Sequence, residues 1–255
     1  MSNGVGQSGA SVASHDANWA RWFLLAAVVV TGALYTLPYG WYVAYPLVLL
    51  STYVHEVAHG VAALLVGGRF DFLMIHADGS GVASISAHSG RFAVAFVAGA
   101  GLVGPAVGGA ALLMLAARPK LARTGLGVCA VLSVVALIAV VRNIFGWGFV
   151  GVVAAGCGAI AWRGTPRVAQ AVVAFLGVQL ALSVFSRADY LFTRVATTGS
   201  GRHPSDVANI AEVLWFPYWF WGGLCALLSV TALATGVWAF LSLSRTPVPE
   251  HTLEG

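Results

Sequence analysis

Trp41-Tyr42-Val43-Ala44-Tyr45-Pro46-Leu47-Val48-Leu49-Leu50-Ser51-Thr52-Tyr53-Val54-His55-Glu56-Val57-Ala58-His59-Gly60-Val61-Ala62-Ala63-Leu64-Leu65-Val66 is the stretch on which the fold turns. It exceeds the about 20 mostly apolar residues that a helix needs to cross a bilayer. Yet it carries three ionisable side chains in five positions, ending about seven residues, or roughly 10 Å of helical rise, before Val66. Such groups inside a membrane segment are costly and usually functional. On a helix, His55 and His59 lie one above the other on the same face. Both imidazoles can therefore hold a single zinc ion, with Glu56 beside them as the general base that activates water. A divalent ion also compensates for burying the three groups, provided the imidazoles are neutral. With seven His in the chain, an H-E-x-x-H string is expected by chance only roughly 0.003 times.

The composition around this stretch agrees with a membrane setting. The 255 residues are 59% hydrophobic and 9% charged, with a mean hydropathy of +0.85. A soluble domain carries about 25% charged residues. The 13 basic residues, 12 of them Arg, stand singly between apolar runs. No basic stripe offers itself to a nucleic acid, so that class of partner is excluded. Cys129, Cys157 and Cys225 lie inside apolar runs without C-x-x-C spacing and read as packing residues.

Seven apolar runs can span: 22–38, 41–66, 92–117, 125–141, 144–162, 167–190 and 214–243. The expected fold is an all-α polytopic membrane protein of about six to seven transmembrane helices, with a short β-hairpin at the membrane surface. Residues 1–18 form a polar Ser/Gly-rich tail without the basic start of a signal peptide. Residues 19–244 form the membrane domain, and 245–255 a flexible tail. The hairpin is read over 70–86, from the alternation of Phe70, Phe72, Met74 and His76, then Val82, Ser84 and Ser86, around an Asp78-Gly79 turn. Ser205 or Asp206 can cap a short helix leading into Trp215-Phe216-Pro217-Tyr218-Trp219-Phe220-Trp221, an interfacial aromatic belt. If all seven runs cross, basic residues divide seven to six between the two sides, which leaves orientation open. Parity still puts the C-terminal ends of the second and sixth spans on one side.

A zinc site with an open position for water needs a third protein ligand on that side. Asp189 closes the sixth run. Asp206 and His203 follow in the same connection, and Asp71, Asp78 and Glu212 are the other nearby acids. Asp189 is favoured because it is attached to a spanning helix, and Asp206 is the alternative. His76 and His88 read as surface-loop histidines. The run Gly99-Ala100-Gly101-Leu102-Val103-Gly104-Pro105 suits either close helix packing or the lining of a polar cleft between the second, third and sixth spans.

Several strings together resemble the site-2 protease family of intramembrane zinc metalloproteases, nearest a short subgroup of bacteria and plants without a PDZ domain. They are His55-Glu56-Val57-Ala58-His59-Gly60, His76-Ala77-Asp78-Gly79-Ser80-Gly81-Val82, Gly99 to Pro105, Arg142-Asn143-Ile144-Phe145-Gly146, Ser183-Val184 with Asp189, and Ser205-Asp206 with Ala211-Glu212. The resemblance covers roughly residues 20–243. It departs in one respect: better-known members carry the third ligand in an Asn-x-x-Pro…Leu-Asp-Gly string, which is missing here. The resemblance implies hydrolysis of peptide bonds in or near transmembrane segments of membrane-anchored protein substrates, such as anti-sigma factors or transcription-factor precursors. Zn2+ would be held by His55, His59 and Asp189 or Asp206, with Glu56 as base, in a bacterial plasma membrane. A transporter or metal-handling protein that uses the same His/Glu cluster is the alternative.

Overall fold

The chain is described from a computed structural model, which covers residues 22–34, 36–86, 90–186, 190–199 and 201–244. In chain order the elements are α1 (Trp22–Leu34), α2 (Gly40–Leu65), β1 (Arg69–Ile75), β2 (Gly81–Ser86), α3 (Arg91–Ala116), α4 (Pro119–Ala139), α5 (Ile144–Arg163) and α6 (Pro166–Ser186). A 3-10 turn (Tyr190–Phe192) follows, then β3 (Val195–Thr198), β4 (Gly201–Pro204), α7 (Asp206–Val213) and α8 (Tyr218–Leu243). Six helices, α2 to α6 and α8, are long and apolar enough to cross a membrane. Among the described residues α1 is apolar but shorter than a span. The chain turns after it at Leu37-Pro38-Tyr39, with Tyr39 left-handed at φ 65°, because a proline there removes a helix donor. The tails expected at 1–18 and 245–255 lie outside the described residues.

The α4 helix begins earlier than its apolar run, at Pro119, whose fixed φ suits the first helical turn. Of the two basic residues this brings into the helix, Lys120 and Arg123, the second is satisfied across the helix pair: Arg123 donates to the carbonyls of Ala161 and Trp162 at the end of α5. Large apolar side chains on α4 face outward, among them Val131, Leu132, Val135 and Ile138. Such an apolar exterior suits lipid rather than water. The α3 helix is central and packs against α2, α6, α7 and α8. The three cysteines are free thiols; Cys157 and Cys225 are buried.

The hairpin forms with its turn at Asp78-Gly79, but it does not stand off the end of α2. It runs back along that helix. Its tip is fixed to the helix by Tyr45, whose hydroxyl donates to Ala77 O at 2.6 Å, and by Thr52, which donates to Gly79 O at 2.7 Å. A bulge between Phe70 and Phe72 shifts the register. One extra residue moves the following side chains to the other face. The fully buried residues of β1 are therefore Leu73 and Ile75, and Phe70 packs with them although three positions separate it from Leu73.

The short connection between α4 and α5 covers the outer edge of β1. Leu73 N–H donates to Val140 O at 2.8 Å and Arg142 N–H to Leu73 O at 3.0 Å. Asn143 continues the pairing with its side chain: Nδ2 donates to Ile75 O at 2.6 Å, and Oδ1 accepts from Ile75 N–H at 3.2 Å. A second hairpin, β3–β4, reaches the first one where Gly199 N–H donates to Ser80 Oγ at 2.9 Å. The 67–91 and 190–213 connections thus meet on one side, as span parity requires.

Candidate metal centre

His55 and His59 stand one turn apart on α2. Asp206 arrives as the first residue of α7, where a helix N-terminus favours a negative charge. Ser205 caps that helix, accepting from Ala208 N–H at 3.3 Å. Ser205 itself is tied back to the preceding loop, donating through Oγ to Thr193 O and through N–H to Arg194 O. These bonds hold the Asp206 carboxylate against the two imidazoles. Its Oδ2 is 3.2 Å from His55 Nε2 and 3.4 Å from His59 Nε2, and the two Nε2 atoms are 3.1 Å apart.

Among the described residues these three form the group whose ligand atoms converge closely enough to hold a metal. The donor set fits zinc. Ligands at about 2.0–2.1 Å from a tetrahedral zinc ion lie about 3.3 Å from one another, which matches the observed separations. His59 Nδ1 faces Val97 O at 2.9 Å. Donation there leaves Nε2 as a lone pair turned toward the cluster. Two imidazole lone pairs and a carboxylate oxygen repel one another unless a cation lies between them.

Tight backbone approaches fix the histidine and the glutamate. A Cβ on Gly101 of α3 would fall 2.2 Å from His59 Cε1 and Nε2, and one on Gly104 would fall 2.4 Å from Ala58 Cβ. In the Gly99–Pro105 run, Gly101 and Gly104 therefore meet α2, while Leu102 and Pro105 face the cleft. Both readings of that run hold, on different faces. Glu56 is buried beside β2; a Cβ on Gly81 would fall 2.7 Å from Glu56 Cγ and from Thr52 Cγ2.

His55 and Glu56 open onto a cleft of about 350 Å³. Its lining includes Ser51 of α2, Leu102 and Pro105 of α3, Ser183 of α6, the hairpin tip and β3. Hydroxyl-bearing residues stand on several of its walls, among them Ser51, Ser80, Ser183 and Thr197.

The sequence placed His55, Glu56 and His59 together on α2, and the structure brings Asp206 to them. Asp189 and His88 lie outside the described residues. His203 is exposed on β4, Glu212 is exposed on α7, and Asp71 accepts from Ser86 Oγ at 2.6 Å on the first hairpin. Asp78 is taken up in its turn, where it accepts from Ser80 N–H and Oγ. His76 packs against Gly199 of the second hairpin. Sequence reading missed Tyr190, β3–β4 and the Val97 carbonyl. For β3–β4 a signal existed in Val195-Ala196-Thr197-Thr198 followed by Gly199 and Gly201. A backbone carbonyl leaves none.

No curated protein and no solved structure matches the chain. The family described as Peptidase M50B-like matches residues 24–236, nearly the whole length. The His/Glu/His/Asp arrangement lies among apolar spans, and the chain belongs to this family of site-2-protease-type intramembrane metallopeptidases.

Proposed function

We propose that this integral membrane protein hydrolyses peptide bonds in or near transmembrane segments of membrane-anchored proteins, using zinc and Glu56. The observation that carries this is the convergence of His55, His59 and Asp206 beside Glu56, on the wall of a polar cleft within the helices. His55, His59 and Asp206 hold the ion, with His59 oriented by Val97 O. Zinc, when bound, makes water a stronger acid and draws electron density from a carbonyl oxygen. Glu56 takes the proton of the attacking water and delivers it to the leaving amine. Gly81 keeps the Glu56 side chain close against β2.

A substrate helix must unwind before attack, because its backbone groups are already paired internally. The unwound segment adds as a strand to β2. Two observations support this side: the outer edge of β1 is already covered by Val140 to Asn143, and β2 has no second strand partner among the described residues. Gly81 sits beside Glu56, so a strand on β2 runs past the base.

The test is Glu56→Gln in proteoliposomes with a single-span reporter protein. The variant should keep its zinc and lose cleavage. Retained cleavage contradicts the role of Glu56, and ion flux that survives the substitution favours a transporter.

A further inference from the structure

Tyr190 opens the 3-10 turn between α6 and β3, and three contacts aim it at the site. Its hydroxyl lies 3.4 Å from Asp206 Oδ2. Its ring meets His55 edge to face, with centroids 6.1 Å apart and planes at 79°. It lines the same cleft as His55 and Glu56. The turn is well anchored. Leu191 is buried among Ala98, Leu102, Val207 and Cys225, and its carbonyl sits so close to Gly222 of α8 that a Cβ there would fall 2.0 Å away. The phenol is therefore held on a fixed backbone beside two of the three metal-centre side chains.

We propose that Tyr190 is a catalytic residue, whose phenolic O–H donates to the substrate oxygen that becomes negative when water attacks the scissile carbonyl. This rests on the peptidase reading of the site. In the attack, the water oxygen bonds to the carbonyl carbon and the water proton passes to Glu56. The carbonyl π pair moves onto the oxygen, which accepts the Tyr190 hydrogen bond; the phenol keeps its proton. The C–N bond then breaks, the oxygen pair re-forms the carbonyl, and the nitrogen takes the proton from Glu56.

The geometry suits this role. An O–H···O bond is ordinarily about 2.5–3.0 Å, so the 3.4 Å contact with Asp206 is weak, and the proton can turn to a stronger acceptor. A donor on a backbone already fixed beside the cleft needs only its O–H to turn when charge develops, and is worth far more between apolar helices than in water.

Tyr190→Phe removes only the O–H and keeps the ring against His55. Three proteins are compared on a single-span reporter in proteoliposomes: wild type, Tyr190→Phe and Glu56→Gln. Zinc per chain is measured on each. Affinity is measured for a phosphinic peptide, whose tetrahedral phosphorus imitates the attacked carbonyl. Affinity for the matching amide peptide is measured in the Glu56→Gln background, with and without Tyr190→Phe. In Tyr190→Phe, kcat should fall by about 10²-fold with KM and zinc content unchanged. Phosphinic affinity should fall in parallel while amide affinity holds. An unchanged kcat overturns the proposal, as does loss of zinc, which would make the tyrosine a support for Asp206. Cleavage lost in Glu56→Gln but intact in Tyr190→Phe sinks this inference alone. Cleavage surviving in Glu56→Gln sinks the peptidase mechanism and this inference with it.

Discussion

The imidazole of His59 occupies the space that a side chain at Gly101 would need: a Cβ there would lie 2.2 Å from both Cε1 and Nε2 of the ring. The same imidazole is held from its other nitrogen by Val97, one turn earlier on α3. One face of α3 thus both shapes and orients a metal-centre side chain on α2.

Gly101→Ala therefore probes the proposed metal site without replacing any of its side chains. The added methyl must displace the ring or part α2 from α3, at a cost of about 1–3 kcal/mol. Zinc affinity, measured by competition with a chelator, should fall by at least about tenfold, the equivalent of about 1.4 kcal/mol. Unchanged affinity would mean that the helices separate and the ring stays put.

Asp206→Asn and Asp189→Asn separate the two acids by elemental analysis. Asp206→Asn should purify with far less than stoichiometric zinc and should not cleave. Asp189→Asn should retain the metal. The reverse pattern would move the third ligand to Asp189.

Gly81→Ala tests how β2 sets Glu56. The methyl collides with Glu56 Cγ and Thr52 Cγ2, so either the hairpin or the carboxylate must shift. A displacement near 1 Å at a reacting group can lower the rate by about 10²-fold. Turnover should drop steeply with zinc content unchanged. Wild-type turnover would show that the approach of β2 to α2 is incidental.

Asn143→Ala removes both side-chain bonds to Ile75 while leaving the apolar packing of β1 in place. At about 1 kcal/mol for each bond, stability should fall by about 2 kcal/mol. The Ile75 amide should exchange faster in hydrogen-exchange measurements. Protection equal to wild type would exclude Asn143 as the edge cover of β1.

The readable parts of the site were those whose geometry is local. His55, Glu56 and His59 sit within two turns of one helix, so their spacing alone puts the imidazoles on one face. The spans were readable because lipid demands long apolar runs. Asp78-Gly79 marked the hairpin because turn residues act locally. The bulge near Asp71 was not readable, since the choice of buried face depends on what β1 packs against.

The amino-acid order by itself determined a membrane-embedded helical protein with a two-histidine, one-glutamate motif inside its second span. Only the tertiary structure brings Asp206 to those histidines, covers one edge of the first hairpin and turns the Tyr190 phenol to the cleft. Asp206, Asn143 and Tyr190 reach their partners across long stretches of chain. Their positions follow from how α3, α7 and the two hairpins pack together, and no local spacing rule encodes that packing.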